Sequence, residues 1–313
     1  MNKIYNKGVY PTMITPYKKD GSVDIEKVKE YVRFYYDRGC DGIFAICQSS
    51  EIFFLSTEEK VLINKTVYET AAELEKKHGR RMTIVSSGHT SDTIEEQAKE
   101  LNAIIESGTD ALVLITNRLD PNNEGDDIWI ANAEKLLSML PENVKLGAYE
   151  CPYPYKRLLT PKILKWCVET GRFKFIKDTC CDAAVIKERL EILDGSGFML
   201  FNANAQTLLE TLRYGAAGYS GIMANMHPEL YVWLCNNFEK DPEKADYVQS
   251  FLCTSAFVEC GVPYPLSGKY HMCLEGIETE LVTRTANPPL TDYHKSCVEQ
   301  IRMLAKKVEK DII

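Results

Sequence analysis

Short apolar, β-branched runs alternate with amphipathic stretches along the first two thirds of the chain. The apolar runs predict eight strands: Val9–Thr15, Gly42–Ile46, Met82–Ser87, Ala111–Thr116, Lys145–Tyr149, Phe173–Lys177, Phe198–Asn202 and Gly218–Ile222. The stretches between them have apolar positions at helical spacing and predict seven helices: Asp24–Asp37, Thr57–Lys76, Ser91–Ser107, Asp127–Leu140, Pro161–Thr170, Ala183–Leu193 and Ala205–Tyr214. Strands that alternate with helices predict parallel βαβ units with right-handed crossovers.

Eight such units favour a fold in the α/β class, a (β/α)8 TIM barrel with a C-terminal helical extension. The alternative is an open, doubly wound sheet, but its usual nucleotide-binding signatures are missing: no GxGxxG follows the first strand and no GxxxxGK[ST] occurs. After Pro228 the strand rhythm stops and helical patterns continue. We therefore predict a barrel core over residues 1–227, with the last barrel helix and the extension over residues 228–313 in the same domain.

Composition narrows the class of protein. A chain of 313 residues with 45% hydrophobic and 26% charged residues is typical of a globular protein that needs no disulfide or metal to fold. The net charge of −8 argues against nucleic acid as a partner, and no apolar run approaches the roughly 20 residues of a membrane span. The eleven cysteines include no CxxC, and residues 1–16 do not read as a signal peptide. We expect reduced thiols and a cytoplasmic protein.

Functional residues of such a barrel lie at the carboxyl ends of its strands, and Lys177 occupies one of these positions. In an apolar barrel mouth the charged form of a lysine is disfavoured, so its pKa falls. The resulting neutral amine is what Schiff-base chemistry with a ketone requires. The alternative is a surface lysine paired with Asp178. Lys174 is a second lysine of the same strand and should face the side opposite to Phe175. The position of Lys177 at the end of the strand distinguishes it from Lys174.

Two further strand ends offer chemistry. Tyr149 ends the preceding strand, where its phenol can move a proton to or from a carbinolamine, or can simply pack. The turn after strand two contains Gln48, Ser49 and Ser50, whose hydroxyls and N–H groups suit a carboxylate, although an ordinary polar loop would look similar. We expect Glu51 to bond backbone and hold that turn.

Histidine does not point to a metal. His89 follows a strand, and we favour a structural or helix-capping role over acid–base chemistry for it. The five histidines are scattered without an HxxxH or HxH pattern, so the sequence predicts no metal site.

Taken together, these residues resemble the family of Schiff-base, pyruvate-dependent aldolases that includes dihydrodipicolinate synthase and N-acetylneuraminate lyase. The likeness covers nearly the whole chain. It is carried by the following segments: Pro11–Pro16, Cys47–Glu51, Ser87–Thr90, Tyr149–Pro152, Ile176–Thr179 and Gly215–Asn225. Lys177 lies 28 residues after Tyr149, a spacing that agrees with the family.

The resemblance implies a barrel that forms a homodimer or homotetramer and that needs no cofactor beyond a covalent imine. It implies Lys177 as the imine-forming lysine and Tyr149 as the proton shuttle. It also implies Gln48, Ser49 and Ser50 as ligands of the keto acid's carboxylate, and Thr179 as a substrate contact. The strand-end positions Asn202 and Ser220 are two further possible substrate contacts.

Departures from the family pattern concern the second substrate. Gln48 stands where the family has a threonine of a proton relay, and the family's relay tyrosine after strand four is replaced within Thr116–Leu119. Pro154 occupies the position of an arginine that binds a second carboxylate in the synthases, with Arg118 and Arg157 as possible substitutes. The sugar-binding residues of the lyases are also not evident around Asn202–Gln206. The second substrate should therefore differ from both standard ones.

Our leading hypothesis is an aldolase or lyase that acts on pyruvate or another 2-keto acid through Lys177. A dehydratase of 2-keto-3-deoxy sugar acids would use the same imine and is the nearest enzymatic alternative. A different class of protein, a keto-acid-binding protein that has lost turnover, is also compatible with the altered relay. Turnover distinguishes the enzymes from the binding protein.

Overall fold

The computed structural model describes residues 6–312. It contains eight strands: β1 (Gly8–Val9), β2 (Gly42–Phe44), β3 (Thr83–Ser86), β4 (Ala111–Ile115), β5 (Leu146–Tyr149), β6 (Phe173–Asp178), β7 (Met199–Asn202) and β8 (Gly218–Tyr219). All seven pairings between them are parallel, in the order β1–β8–β7–β6–β5–β4–β3–β2. A further parallel bridge between Thr12 and Phe44 joins β1 to β2 and closes the ring. The prediction of a (β/α)8 barrel is confirmed.

The first strand is much shorter than the predicted Val9–Thr15. Only Gly8 and Val9 pair with β8, and the chain then follows β2 through isolated bonds, from Phe44 N–H to Pro11 O and from Met13 N–H to Phe44 O, each 3.0 Å. Proline lacks a backbone donor, so Pro11 interrupts the ladder. The last strand is also shorter than predicted, because a 3₁₀ helix begins at Ile222.

The barrel helices follow their strands as predicted: α1 (Ile25–Asp37), α2 (Thr57–His78), α3 (Ile94–Glu106), α4 (Asp126–Leu137), α5 (Pro161–Glu169), α6 (Ala183–Leu193) and α7 (Leu208–Arg213). Helix α2 begins with the capping box that the sequence indicates, since Ser56 and Glu59 bond each other's backbone N–H groups. Helix α3 begins later than predicted because Thr93 is its N-cap.

The C-terminal part is helical, with α8 (Pro228–Asn237), α9 (Pro242–Cys260), α10 (Leu266–Leu274) and α11 (Asp292–Ile312). Leu252 of α9 and Val308 of α11 belong to the same buried apolar cluster as Val9 and Tyr219 of the barrel. The extension is therefore packed onto the barrel and shares its core. No helix within residues 6–312 is long and apolar enough to span a membrane.

Side-chain alternation on β5 and β6 determines which residues face the inside of the barrel. Phe175 and Lys177 both line a small apolar cavity of about 10 Å³ inside the barrel, room for about one water molecule, whereas Ile176 packs in the cluster under the outer helices. A Cβ atom on Gly147 would lie 2.3 Å from the Phe175 ring, so only glycine lets this ring fill the interior. Lys174 lies at the other end of β6, where its ammonium donates to Gly171 O at 3.0 Å.

Candidate active site

A cavity of about 510 Å³ opens where the strands end, at the mouth of the barrel. Fifteen of the described residues line it, and five of them are residues that the sequence analysis selected: Gln48, Ser49, Tyr149, Lys177 and Thr179. Strands β2, β5 and β6 and the loops that follow them supply these side chains. The position at the carboxyl ends of the strands is where a barrel of this kind carries its chemistry.

Lys177 lies at the bottom of this cavity and is 4% exposed. Its Nζ is 4.2 Å from the centre of the Tyr149 ring and 5.4 Å from that of Phe44. Contact with aromatic faces favours an ammonium, but the loss of solvation outweighs it. Burial lowers the pKa of Lys177 to about 8. At pH 7 about a tenth of this lysine is therefore the nucleophilic amine, a far larger share than for an ordinary lysine.

Tyr149 lies beside Lys177 because the two residues are directly paired in the β5–β6 register. Its ring meets that of Phe44 edge to face, with centroids 5.4 Å apart, and its hydroxyl donates to Gln48 Oε1 at 3.5 Å. Burial raises the pKa of Tyr149 well above its ordinary value. The phenol is thus protonated at neutral pH and offers a proton beside the amine.

A buried ion cluster holds these two strand ends together. Glu150 and Asp178, the residues after Tyr149 and Lys177, both bind Arg189 of α6; the Arg189–Glu150 distance is 2.8 Å. All three side chains are 5% exposed or less. Glu150 also accepts the N–H groups of Leu159 at 2.7 Å and Thr179 at 3.0 Å. Sequence analysis missed this cluster, because a carboxylate after each strand and an arginine on a helix do not by themselves indicate a contact.

The turn after β2 is a 3₁₀ helix over Gln48–Ser50. The Ser50 hydroxyl is fully buried and bonds Met13 O at 2.7 Å and Ala45 O at 2.8 Å, while it accepts from Cys47 N–H at 3.1 Å. Ser50 therefore shapes the turn, and its side chain does not face the cavity. Gln48 and Ser49 do line the cavity, and the Ser49 hydroxyl donates to Thr12 Oγ1 at 3.0 Å.

Glu51 bonds backbone as expected, but the backbone belongs to a distant loop. Its Oε2 accepts from Arg284 N–H at 2.6 Å and Thr285 N–H at 2.9 Å, and its Oε1 lies 3.4 Å from the Lys269 ammonium. Glu51 itself has a left-handed backbone with φ of 61°, which turns its side chain toward that loop. The loop between α10 and α11 is thereby fixed over the barrel mouth.

The C-terminal extension supplies cavity residues that the sequence analysis did not select: Tyr264, Pro265, Thr285 and Asn287. The Tyr264 hydroxyl accepts from Asn225 Nδ2 at 3.1 Å. A search confined to strand ends has no means of finding these residues, because they arrive through helix packing. Lys156, in the loop after β5, also lines the cavity; it stands two residues after Pro154 and was overlooked in favour of Arg157.

Two of the possible substrate contacts lie away from the cavity. The Asn202 amide is buried and donates to Thr207 and Thr211 Oγ1, both at 3.0 Å, so it stabilises the turn after β7. Ser220 lines the small interior cavity below Lys177. Thr179 does reach the main cavity, although its hydroxyl donates to Glu150 O at 2.7 Å.

The two arginines considered as substitutes for the one missing at Pro154 are engaged elsewhere. Arg157 binds Asp120 at 3.0 Å and Asp126 at 2.7 Å, and Arg118 binds Asp92 at 2.8 Å. Neither arginine is among the described residues that line the cavity. That expectation is corrected, because each guanidinium already has a carboxylate partner.

His89 has the structural role that the sequence favoured. Its Nε2 accepts from Ile115 N–H at 2.6 Å, and its Nδ1 lies 2.9 Å from Gln97 Oε1. These bonds fix one neutral tautomer, and burial lowers the pKa of His89 to about 4. Within residues 6–312, no three His, Cys, Asp or Glu side chains are grouped so as to hold a metal ion.

Comparison with known proteins identifies the family. Residues 5–308 match the sequence model of the Dihydrodipicolinate synthetase family. The chain belongs to this family. A 4-hydroxy-tetrahydrodipicolinate synthase of Methanocaldococcus jannaschii is 27% identical over 275 residues, which cover 85% of this chain and 88% of that protein. A second synthase, from Methanothrix thermoacetophila, is 24% identical and covers 85% and 86% of the two chains.

Solved structures agree on the fold. A sialic acid aldolase of Ruminococcus gnavus superposes with a TM-score of 0.86 at 18% identity, covering 100% of this chain and 99% of that one. A prophage protein of the dihydrodipicolinic acid synthase family from E. coli K12, in complex with pyruvate, superposes with a TM-score of 0.82 at 19% identity, covering 97% and 98%. As a member of the Dihydrodipicolinate synthetase family, the protein is a pyruvate-dependent lyase of the Schiff-base aldolase type, as the sequence predicted. The roles of individual residues stay predictions.

The ion cluster leads to a prediction about stability. Arg189→Met leaves Glu150 and Asp178 buried without a counter-charge, so we expect the free energy of unfolding to fall by about 3–5 kcal/mol. Urea denaturation at pH 7 measures the change. Arg213→Met is the matched control, because Arg213 pairs with Asp246 on the exposed surface and should cost less than about 1 kcal/mol. Equal losses in the two variants would contradict a special role for the cluster.

The pKa of Lys177 leads to a prediction about pH. The pKa of Lys177 is about 8 in the folded protein and 10.5 for an ordinary lysine. Between these pH values the unfolded chain binds a proton that the folded protein has released, so the free energy of unfolding rises with pH. Below pH 8 the folded protein bears the cost of a buried ammonium. Lys177→Met should therefore raise the free energy of unfolding at pH 7 by about 1–3 kcal/mol, with a smaller gain at pH 10.

Urea denaturation of both proteins at the two pH values measures this difference. Lys174→Met is the control, since the Lys174 ammonium reaches solvent and its removal should leave the pH dependence unchanged. If Lys177→Met is less stable than the wild type at pH 7, the buried lysine does not destabilise the folded protein and the prediction is wrong.

Proposed function

We propose that Lys177 forms an imine with the ketone of pyruvate or another 2-keto acid, and that the protein makes or breaks a carbon–carbon bond next to it. The observation that carries the proposal is the buried Lys177 amine, with a pKa near 8, directly beside the protonated phenol of Tyr149. No carboxylate in the described part of the chain forms an ion pair with Lys177, so no counter-ion holds the lysine in its charged form.

The chemistry follows from this pair. The neutral amine adds to the ketone carbon, and the resulting carbinolamine loses its hydroxyl as water when a proton reaches it. Tyr149 is the group beside the amine that can deliver this proton. The protonated imine then accepts the electron pair of the bond that breaks, or releases the proton that generates the nucleophilic enamine. No added cofactor is needed, because the imine itself is the electron sink.

The keto acid's carboxylate fits the turn after β2. The first backbone hydrogen bond of the 3₁₀ helix is donated by Ser50 N–H to Cys47 O at 3.0 Å. The N–H groups of Gln48 and Ser49 lie before this donor in the chain. Neither N–H group has an acceptor within this turn, so both can donate to a carboxylate. The Ser49 hydroxyl is beside them, and Ser50 contributes by holding the turn in shape.

Gln48 has a different role from the threonine it replaces. Its side-chain oxygen accepts a hydrogen bond from the Tyr149 hydroxyl, but an amide does not relay a proton at neutral pH. Gln48 therefore orients Tyr149, and the phenol exchanges its proton with groups or water in the cavity. We also expect a cytoplasmic homodimer or homotetramer.

Borohydride trapping tests the imine. Incubation with pyruvate and borohydride should add one pyruvate-derived group to the chain, and peptide mapping should place it on Lys177. Lys177→Arg should give no adduct, because a guanidinium stays protonated and does not attack a ketone. Lys174→Arg should give the normal adduct. Modification of Lys174, or of no lysine, would reject the mechanism.

The role of Tyr149 has its own test. Tyr149→Phe keeps the ring and its contact with Lys177 but removes the hydroxyl, so we expect the rate of imine formation to fall by about 10²–10⁴-fold. Stopped-flow or timed borohydride quenching measures this rate. The control is Tyr247→Phe, which removes a surface hydroxyl bonded to Asp311 and should leave the rate unchanged. An unchanged rate in Tyr149→Phe would reassign this tyrosine to packing.

A further inference from the structure

The charges around the main cavity are uneven. Of the described residues that line it, two carry a cationic side chain, Lys156 and Lys177, and none is aspartate or glutamate. Lys177 is committed to the ketone in the function proposed above. Lys156 thus remains as the cation that faces the rest of the bound molecule.

Lys156 has no carboxylate partner among residues 6–312, whereas Arg157 and Arg189 both do. Arg157, the next residue, is held by Asp120 and Asp126, and Arg189 by Glu150 and Asp178. The Lys156 ammonium donates only to a neutral acceptor, Thr179 O, at 2.8 Å. An ammonium has three donors, so two remain for a ligand.

The contact with Thr179 also fixes where this charge lies. Thr179 is two residues beyond Lys177 on the same wall, so Lys156 stands on the rim of the cavity on the side of the imine lysine. The carboxylate turn at Gln48 and Ser49 belongs to a different strand end. A cavity of about 510 Å³ is much larger than a three-carbon acid requires and has room for a longer molecule between these groups.

We propose that Lys156 determines substrate specificity by binding an anionic group, a carboxylate, at the far end of the molecule attached to Lys177. The inference rests on the proposed function and names its substrate class: 2-keto acids with a second acidic group, formed from or cleaved to pyruvate and an anionic aldehyde.

Two keto acids of equal length isolate the effect of the charge. 2-Oxoadipate and 2-oxohexanoate differ in having a carboxylate or a methyl group at the far end. Each would form the imine with release of water, and borohydride would then reduce it on Lys177, so the assay requires no turnover. The half-saturating concentration for trapping should be about five- to tenfold lower for 2-oxoadipate, a modest factor because Lys156 is exposed.

Three variants assign this preference to one side chain. Lys156→Met should bring the ratio of the two concentrations close to one, and Lys156→Arg should keep most of the preference because it keeps the charge. Lys174→Met is the matched control: Lys174 also donates to a backbone carbonyl, Gly171 O, but at the opposite end of β6, so the preference should be unchanged. Raising the salt concentration should weaken the preference in the wild type and in the two variants that retain it, Lys156→Arg and Lys174→Met.

The outcomes separate this inference from the function beneath it. If pyruvate is trapped on Lys177 but the two longer acids bind equally, or are not trapped, the role of Lys156 is rejected and the imine mechanism stands. A preference that persists in Lys156→Met rejects it as well. If pyruvate itself gives no adduct on Lys177, the proposed function fails and the inference fails with it.

Discussion

The site depends on the buried cluster of Glu150, Asp178 and Arg189. Two carboxylates at the ends of neighbouring strands are costly to bury, and one guanidinium from α6 offsets that cost for both. Because Glu150 directly follows Tyr149 and Asp178 directly follows Lys177, the same contacts hold these two residues opposite each other. Electrostatic contacts on the outer side of the strand ends thus position the side chains on the inner side.

The lowered pKa of Lys177 comes from the solvation and the counter-charge that its surroundings do not supply. Its neighbours are aromatic rings and a packed interior below, and no carboxylate of the described chain neutralises it. Lost solvation favours the amine and at the same time makes the folded state less stable at neutral pH. In the proposed function, this cost in stability is the counterpart of a neutral amine in the cavity, a conflict between stability and activity common at active sites.

The second half of the cavity depends on the C-terminal extension. Glu51, next to the Gln48–Ser50 turn, binds the backbone of Arg284 and Thr285, so the turn and the loop that covers it are fixed by the same residue. Asn287 reaches the cavity on this loop, and Tyr264 reaches it from the connection between α9 and α10. The extension therefore supplies part of the cavity wall, while the strand ends of the barrel supply Lys177 and Tyr149.

The alternation of strands and helices is a local property, and it was sufficient to predict the barrel. The strand-end positions of Lys177 and Tyr149 are local as well, and the structure places the two side chains next to each other, while their roles stay predictions. Side-chain periodicity fixes which residues face the interior, so these predictions needed no knowledge of distant contacts. Partners far apart in the chain were not predictable in this way. Only the folded chain decides that Arg157 is neutralised by Asp120 while Lys156 meets no carboxylate among the described residues, because which charges meet depends on how separate loops and helices pack.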